Sequence, residues 1–119
     1  MPSVLVVDDD LALRTMIAQL MSDEGWQVRG ASDGADALAV LDTWLPDVLL
    51  VDLTMPRMDG RVFISEVTRM NRTANISIVV MSGRGAVHPT AVELGAAAAI
   101  EKPFEVRELV DTLAALVLK

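Results

Sequence analysis

Three apolar runs rich in β-branched residues punctuate the chain, and each halts at a polar residue. Ser3 to Val7 stops at Asp8, Val48 to Val51 stops at Asp52, and Ile76 to Met81 stops at Ser82. Continuous runs of this length predict strands buried on both faces, as in parallel sheets. Two weaker strands are predicted at Trp26 to Gly30 and Ala97 to Glu101. Between the strands the apolar period becomes helical. Leu11 to Asp23 sets Leu13, Ile17, Leu20 and Met21 on one face, and Asp33 to Thr43 does the same with Ala37, Leu38 and Leu41. Asp59 to Met70 aligns Val62, Phe63, Val67 and Met70, and Glu105 to Leu118 aligns Leu109, Val110, Leu113, Leu116 and Val117. A short fourth helix is expected within Pro89 to Leu94. Asp10, Ser32 or Asp33, and Asp59 suit helix N-caps, and Gly25 and Gly95 suit C-caps.

Strand and helix therefore alternate five times. That order predicts an α/β fold: a doubly wound (βα)5 arrangement of the flavodoxin-like kind, with a five-stranded parallel sheet and helices on both faces. In the strand order 2-1-3-4-5 the first and third strands are neighbours. No repeat, linker or second domain is visible, so residues 1–119 read as one domain.

Composition narrows the function. The chain is 52% hydrophobic, enough for a real core, and has no cysteine, which excludes disulfides and thiolate chemistry. A net charge of −7 and a pI near 4.5 make direct nucleic-acid binding unfavourable. Two Trp, two Phe and no Tyr offer little surface for base stacking. Neither a secretory leader nor a membrane-length apolar stretch is present in this sequence, which points to a cytoplasmic chain without membrane insertion.

Open α/β sheets bind ligands at the carboxyl ends of their strands. Asp8, Asp9 and Asp10 follow the first strand, Asp52 ends the third, Ser82 the fourth, and Lys102 follows the fifth. The order 2-1-3-4-5 crowds Asp8, Asp9 and Asp52 into one pocket, where their mutual repulsion invites a hard divalent cation. Magnesium suits an open site with few protein oxygens. A carboxylate can also accept a phosphoryl group as an aspartyl phosphate. Lys102, the Ser82 hydroxyl and backbone N–H groups are the donors that such a group requires. Each residue alone has a plainer reading: Asp9 or Asp10 as a cap, Asp52 as a loop aspartate, Ser82 as a strand-end polar group and Lys102 as solvated surface. Asp59-Gly60 reads as a cap and tight turn. Their joint placement at four functional strand ends favours the chemical reading.

These residues closely resemble those of the receiver domain of bacterial two-component response regulators, over essentially the full length. The resemblance is carried by Val6-Val7-Asp8-Asp9-Asp10, by Val51-Asp52-Leu53-Thr54-Met55-Pro56-Arg57-Met58-Asp59-Gly60, by Met81-Ser82-Gly83 and by Lys102-Pro103-Phe104. It implies that Asp52 is the phosphoacceptor and that Asp8 and Asp9 bind Mg2+, with Mn2+ as a substitute. It further implies that the Thr54 backbone carbonyl also meets the metal, that Ser82 is the switch hydroxyl and that Lys102 pairs with the phosphoryl group. The Lys102–Pro103 bond is often cis in this family. The implied partners are a sensor histidine kinase or histidine phosphotransfer protein upstream, and a protein target or a separate output domain downstream. The chain would then be a phosphoacceptor switch rather than a turnover enzyme. Both a stand-alone receiver and a piece of a longer regulator fit the sequence.

One departure stands out. The family usually carries an aromatic residue three positions before the lysine, and here that position is Ala99. Output is therefore expected through loop rearrangement in Ser82 to Pro89 rather than through burial of a ring. The only histidine, His88, precedes Pro89 and reads as surface, and Trp26 and Trp44 read as packing residues. Thr54 and Arg84, two residues beyond Asp52 and Ser82, suit tuning of phosphoryl lifetime. Two rival classes call for other residues. An aspartate-nucleophile phosphatase would carry its nucleophile on the first strand beneath a cap. A flavin or nucleotide binder would need a Gly- or Ser/Thr-rich cradle where Asp8-Asp9-Asp10 stands.

Overall fold

In the computed structural model the β-branched runs become the centre of a parallel sheet. The structure describes residues 1–53, 60–70, 73–83 and 93–117. In chain order the elements are β1 (Ser3–Val7), α1 (Leu11–Asp23), β2 (Gln27–Ala31), α2 (Gly34–Leu41), β3 (Val48–Asp52), α3 (Gly60–Arg69), β4 (Ser77–Ser82), β5 (Ala98–Glu101) and α4 (Val106–Val117). The strands pair in the order β2-β1-β3-β4-β5, all parallel, as the sequence pattern predicts. The short helix expected within 89–94 falls mostly outside the described residues; Glu93 and Leu94 are helical.

The pleat divides each strand between two cores. Leu5, Val7, Leu49, Val51, Ile78 and Val80 pack against α2 and α3. Val4, Val6, Leu50, Val79, Met81 and Ile100 pack against α1 and α4. Because both faces are covered, β1 and β3 are buried at every residue, and that is why they read as uninterrupted apolar runs. Trp26 joins the second core, and Trp44 packs on the first with the Arg29 guanidinium 4.7 Å from its ring centre.

Local signals set the ends of the helices. Asp10 caps α1 through the Leu13 N–H at 3.1 Å. Asp33 caps α2 through Asp36 N–H at 2.8 Å, and the Asp36 carboxylate answers with the Ser32 N–H at 3.1 Å. Gly25, just past α1, takes φ +90°, the left-handed backbone that ends a helix with least strain at glycine. One assignment is corrected. Val62 is 57% exposed and does not face the core; Phe63, Ile64 and Val67 do. In a segment where Val62, Phe63 and Ile64 are all apolar, spacing alone leaves the helix's rotation open, and packing against the sheet selects the face.

Candidate functional site

The site lies at the carboxyl ends of the two central strands. Val7 is paired with Val51, so the next residues, Asp8 and Asp52, emerge side by side. Their burial is nearly complete, with relative exposures of 0% for Asp8 and 3% for Asp52. Buried carboxylates require compensating charge or donors. Lys102 supplies the charge: its Nζ lies 3.1 Å from Asp8 Oδ2 and 3.2 Å from Asp52 Oδ2.

Each strand end fixes one component. The Lys102 N–H donates to the Ser82 carbonyl at 2.9 Å, which ties the lysine to the end of β4. The Lys102–Pro103 peptide is cis, as the resemblance implies. Leu53 N–H donates to the Met81 carbonyl at 2.9 Å, fixing the end of β3 against β4. Ser82 itself is buried at the end of β4. Among the described residues, no buried side-chain polar atom lacks a hydrogen-bond partner.

The three consecutive aspartates have three different roles. Asp8 is buried, and its Oδ1 accepts the Asp10 N–H at 2.9 Å. Asp10 turns away to cap α1. Asp9 stays exposed, and one of its carboxylate oxygens lies within 4.8 Å of carboxylate oxygens of both Asp8 and Asp52. The open choice between Asp9 and Asp10 as cap is thereby resolved in favour of Asp10, which leaves Asp9 for the cluster. Three carboxylates converging at that distance form an all-oxygen donor set with one exposed side, a set suited to a hydrated magnesium ion. The Thr54 carbonyl, expected as a metal contact beside Asp8, Asp9 and Asp52, lies outside the described residues, as do Asp59, Arg84 and His88.

Electrostatics follow from the burial. Desolvation raises the Asp8 carboxyl above its ordinary range, and the Asp10 N–H and Lys102 offset only part of that. Burial pulls Lys102 down, but the charges of Asp52 and then Asp8 outweigh it, so the net shift is upward. The asymmetry has a physical cause. Lys102 serves two anions and keeps 21% of its side chain exposed, whereas Asp8 is wholly enclosed. A cleft of about 680 Å³ bordered by Pro2, Asp47, Asn75 and Ser77 lies at the opposite ends of the strands. The Asp47 carboxylate there accepts the Ser3 N–H at 2.9 Å, so the convergent chemistry is at the aspartate cluster.

Two features escaped the sequence reading: the Lys102–Asp8 ion pair, and Arg14, whose Nη1 donates to the Asp8 carbonyl at 2.7 Å. The first depends on side-chain reach across two strands. The second had a faint signal, an arginine one helical turn past the Asp10 cap.

Comparison with known proteins is consistent with this geometry. The family model described as "Response regulator receiver domain" matches residues 4–114. The transcriptional regulatory protein CpxR of Klebsiella pneumoniae is 36% identical over 98% of this chain and 49% of its own length. Chemotaxis protein CheY of Thermotoga maritima is 32% identical over 92% of each chain. The structure of chemotaxis protein CheY4 of Vibrio cholerae superposes with a TM-score of 0.91 at 29% identity, covering 98% of this chain and 99% of that one. The chain spans about half the length of CpxR and of several other curated regulators it matches.

Proposed function

Because the chain belongs to the response regulator receiver family, whose general function is phosphorylation on an aspartate, we propose that Asp52 is the acceptor and that Asp8 and Asp9 hold the divalent metal beside it. One observation carries this reading: Lys102 bridges the two buried carboxylates of Asp8 and Asp52, with the exposed Asp9 completing the cluster.

In the transfer, an Asp52 oxygen attacks the phosphorus of a phosphohistidine on a partner kinase or phosphotransfer protein. The O–P bond forms as the N–P bond breaks, and the imidazole nitrogen keeps the electron pair and takes a proton from solvent. Lys102 stands ready to neutralise the phosphoryl oxygens, and the Ser82 hydroxyl is the donor nearest in chain position to that lysine's anchor. Bound magnesium or manganese would supply further charge neutralisation through Asp8, Asp9, Asp52 and the Thr54 carbonyl. Hydrolysis reverses the bonding: water attacks phosphorus, the bond to Asp52 breaks, and the carboxylate is regenerated as a proton leaves to solvent. The domain acts as a switch and not as a turnover enzyme on an outside substrate. Its setting is the cytoplasm; among the described residues no helix is long and apolar enough to cross a membrane. The readout is a protein target or an output domain. With Ala99 in place of a ring, the readout is assigned to the segment from Ser82 to Pro89, of which residues 84–89 lie outside the described residues.

Mass spectrometry after incubation with a small phosphodonor and magnesium tests the assignment. The expected result is one phosphoryl adduct on the wild type and none on Asp52→Asn. No adduct on the wild type, even with a phosphohistidine donor, defeats the reading, and an adduct surviving the substitution moves the acceptor elsewhere.

A further inference from the structure

We infer that Arg14 and Gly30 form a positioning pair that sets the divalent-metal affinity of the aspartate cluster without touching the metal. The inference rests on the reading of Asp8, Asp9 and Asp52 as a metal site. Arg14 lies on the first turn of α1 and is half-buried. Its Nη1 donates to the backbone carbonyl of Asp8 at 2.7 Å, a short charge-assisted bond. The Asp8 N–H donates to the Ala31 carbonyl at 3.1 Å. Asp8 is thus held at both ends of its main chain, and its Oδ1 is held by the Asp10 N–H.

The carbonyl that Arg14 grips belongs to the peptide joining Asp8 to Asp9. Fixing that peptide plane fixes the N–Cα bond from which the Asp9 side chain departs, which leaves only rotation about that bond to aim it. Asp9 is the exposed member of the cluster, so it has the most to gain from such orientation.

Gly30 explains how an arginine from α1 reaches this carbonyl. A Cβ at Gly30 would stand 3.0 Å from Arg14 Cδ, 3.2 Å from Cγ and 3.3 Å from Nε. Gly30 sits inside β2, and only Gly25 and Gly95 among the described glycines have positive φ. Its backbone therefore does not require glycine. Glycine in a strand interior commonly marks a close approach, and here what approaches is the arginine stem crossing β2.

The test is calorimetric titration of magnesium chloride into the metal-free chain, for the wild type, Arg14→Met and Gly30→Ala, with folding checked by circular dichroism. Groups that orient metal ligands typically contribute about tenfold or more to affinity. Arg14→Met is expected to weaken magnesium binding on the order of tenfold while the chain stays folded, and Gly30→Ala to weaken it by a smaller factor. In an Arg14→Ala background, Gly30→Ala is expected to change nothing further. Wild-type affinity in a folded Arg14→Met overturns the inference, even if its thermal stability falls. Should Arg14→Met fail to fold, Gly30→Ala decides: reduced affinity supports the pair, and unchanged affinity overturns it. If the wild type itself binds no magnesium, the metal-site reading fails along with the inference. If it binds and the variants match it, only the inference fails.

Discussion

The Lys102 ammonium stands 3.1 Å from Asp8 and 3.2 Å from Asp52, so the lysine is a counter-ion to both buried carboxylates before any phosphoryl group arrives. Removing it strands a fully enclosed carboxylate. Lys102→Met is therefore expected to lower the stability of the metal-free domain by about 2 kcal/mol, the scale of an uncompensated buried charge tempered by partial exposure. Saturating magnesium should return part of that loss, because a cation of another kind then serves the same carboxylates. Urea denaturation with and without magnesium measures both effects.

The shifts of Asp8 and Lys102 act at opposite ends of the pH range. Lys102 is raised above its ordinary 10.5, so its stabilising contribution is complete below that pH and fades as pH rises through the folded value. Asp8 is a carboxylate raised above its ordinary 3.8, so the folded chain binds that proton more tightly than the unfolded chain does. The stabilisation from its protonation is complete below 3.8 and is lost as pH rises through the folded value. At neutral pH the Asp8 charge is a liability in the metal-free domain. Asp8→Asn should then raise metal-free stability at pH 7 by on the order of 1 kcal/mol. The gain should shrink as pH falls through the folded value and be smallest below 3.8, and magnesium should no longer stabilise the variant. Denaturation curves collected across that range decide the matter.

Ser82 and Lys102 are joined through the main chain, since the Lys102 N–H donates to the Ser82 carbonyl at 2.9 Å. Ser82→Ala keeps that bond and leaves Lys102 in place. Magnesium affinity should stay near wild type, while the rate of adduct formation from a small phosphodonor falls by about a hundredfold or more, the scale of one lost oxyanion donor. A parallel collapse of magnesium affinity would mean that Ser82 supports the metal site instead.

The fold and most of the site are legible in the sequence for one reason. β1 and β3 are covered on both faces, so their apolar runs end sharply, and the residues at which they end, Asp8 and Asp52, are those that the topology brings together. What stays hidden depends on side-chain reach. Nothing in the spacing says that Lys102 spans to Asp8 across the two intervening strands, or that the Arg14 stem lies over Gly30. The outward turn of Val62 is hidden too, because three adjacent apolar residues leave a helix's rotation undetermined until it packs against the sheet.

The run Asp8-Asp9-Asp10 offers the sharpest separation of stability from binding, because its last two members are exposed and do different work. Asp10 accepts the Leu13 N–H at the start of α1, and only its backbone N–H, which any residue retains, reaches Asp8. Asp10→Ala should cost about 1 kcal/mol of stability, as loss of an N-cap does, with magnesium affinity nearly unchanged. Asp9→Asn removes a charge from the cluster but no cap. It should leave metal-free stability within about 0.5 kcal/mol of wild type, the usual range for a surface change. Its magnesium affinity should fall on the order of tenfold or more with the lost ligand charge. Thermal denaturation and calorimetric titration of the two variants should therefore give reciprocal results. If Asp10→Ala lost magnesium binding while Asp9→Asn kept it, the assignment of cap and ligand between the two neighbours would have to be exchanged.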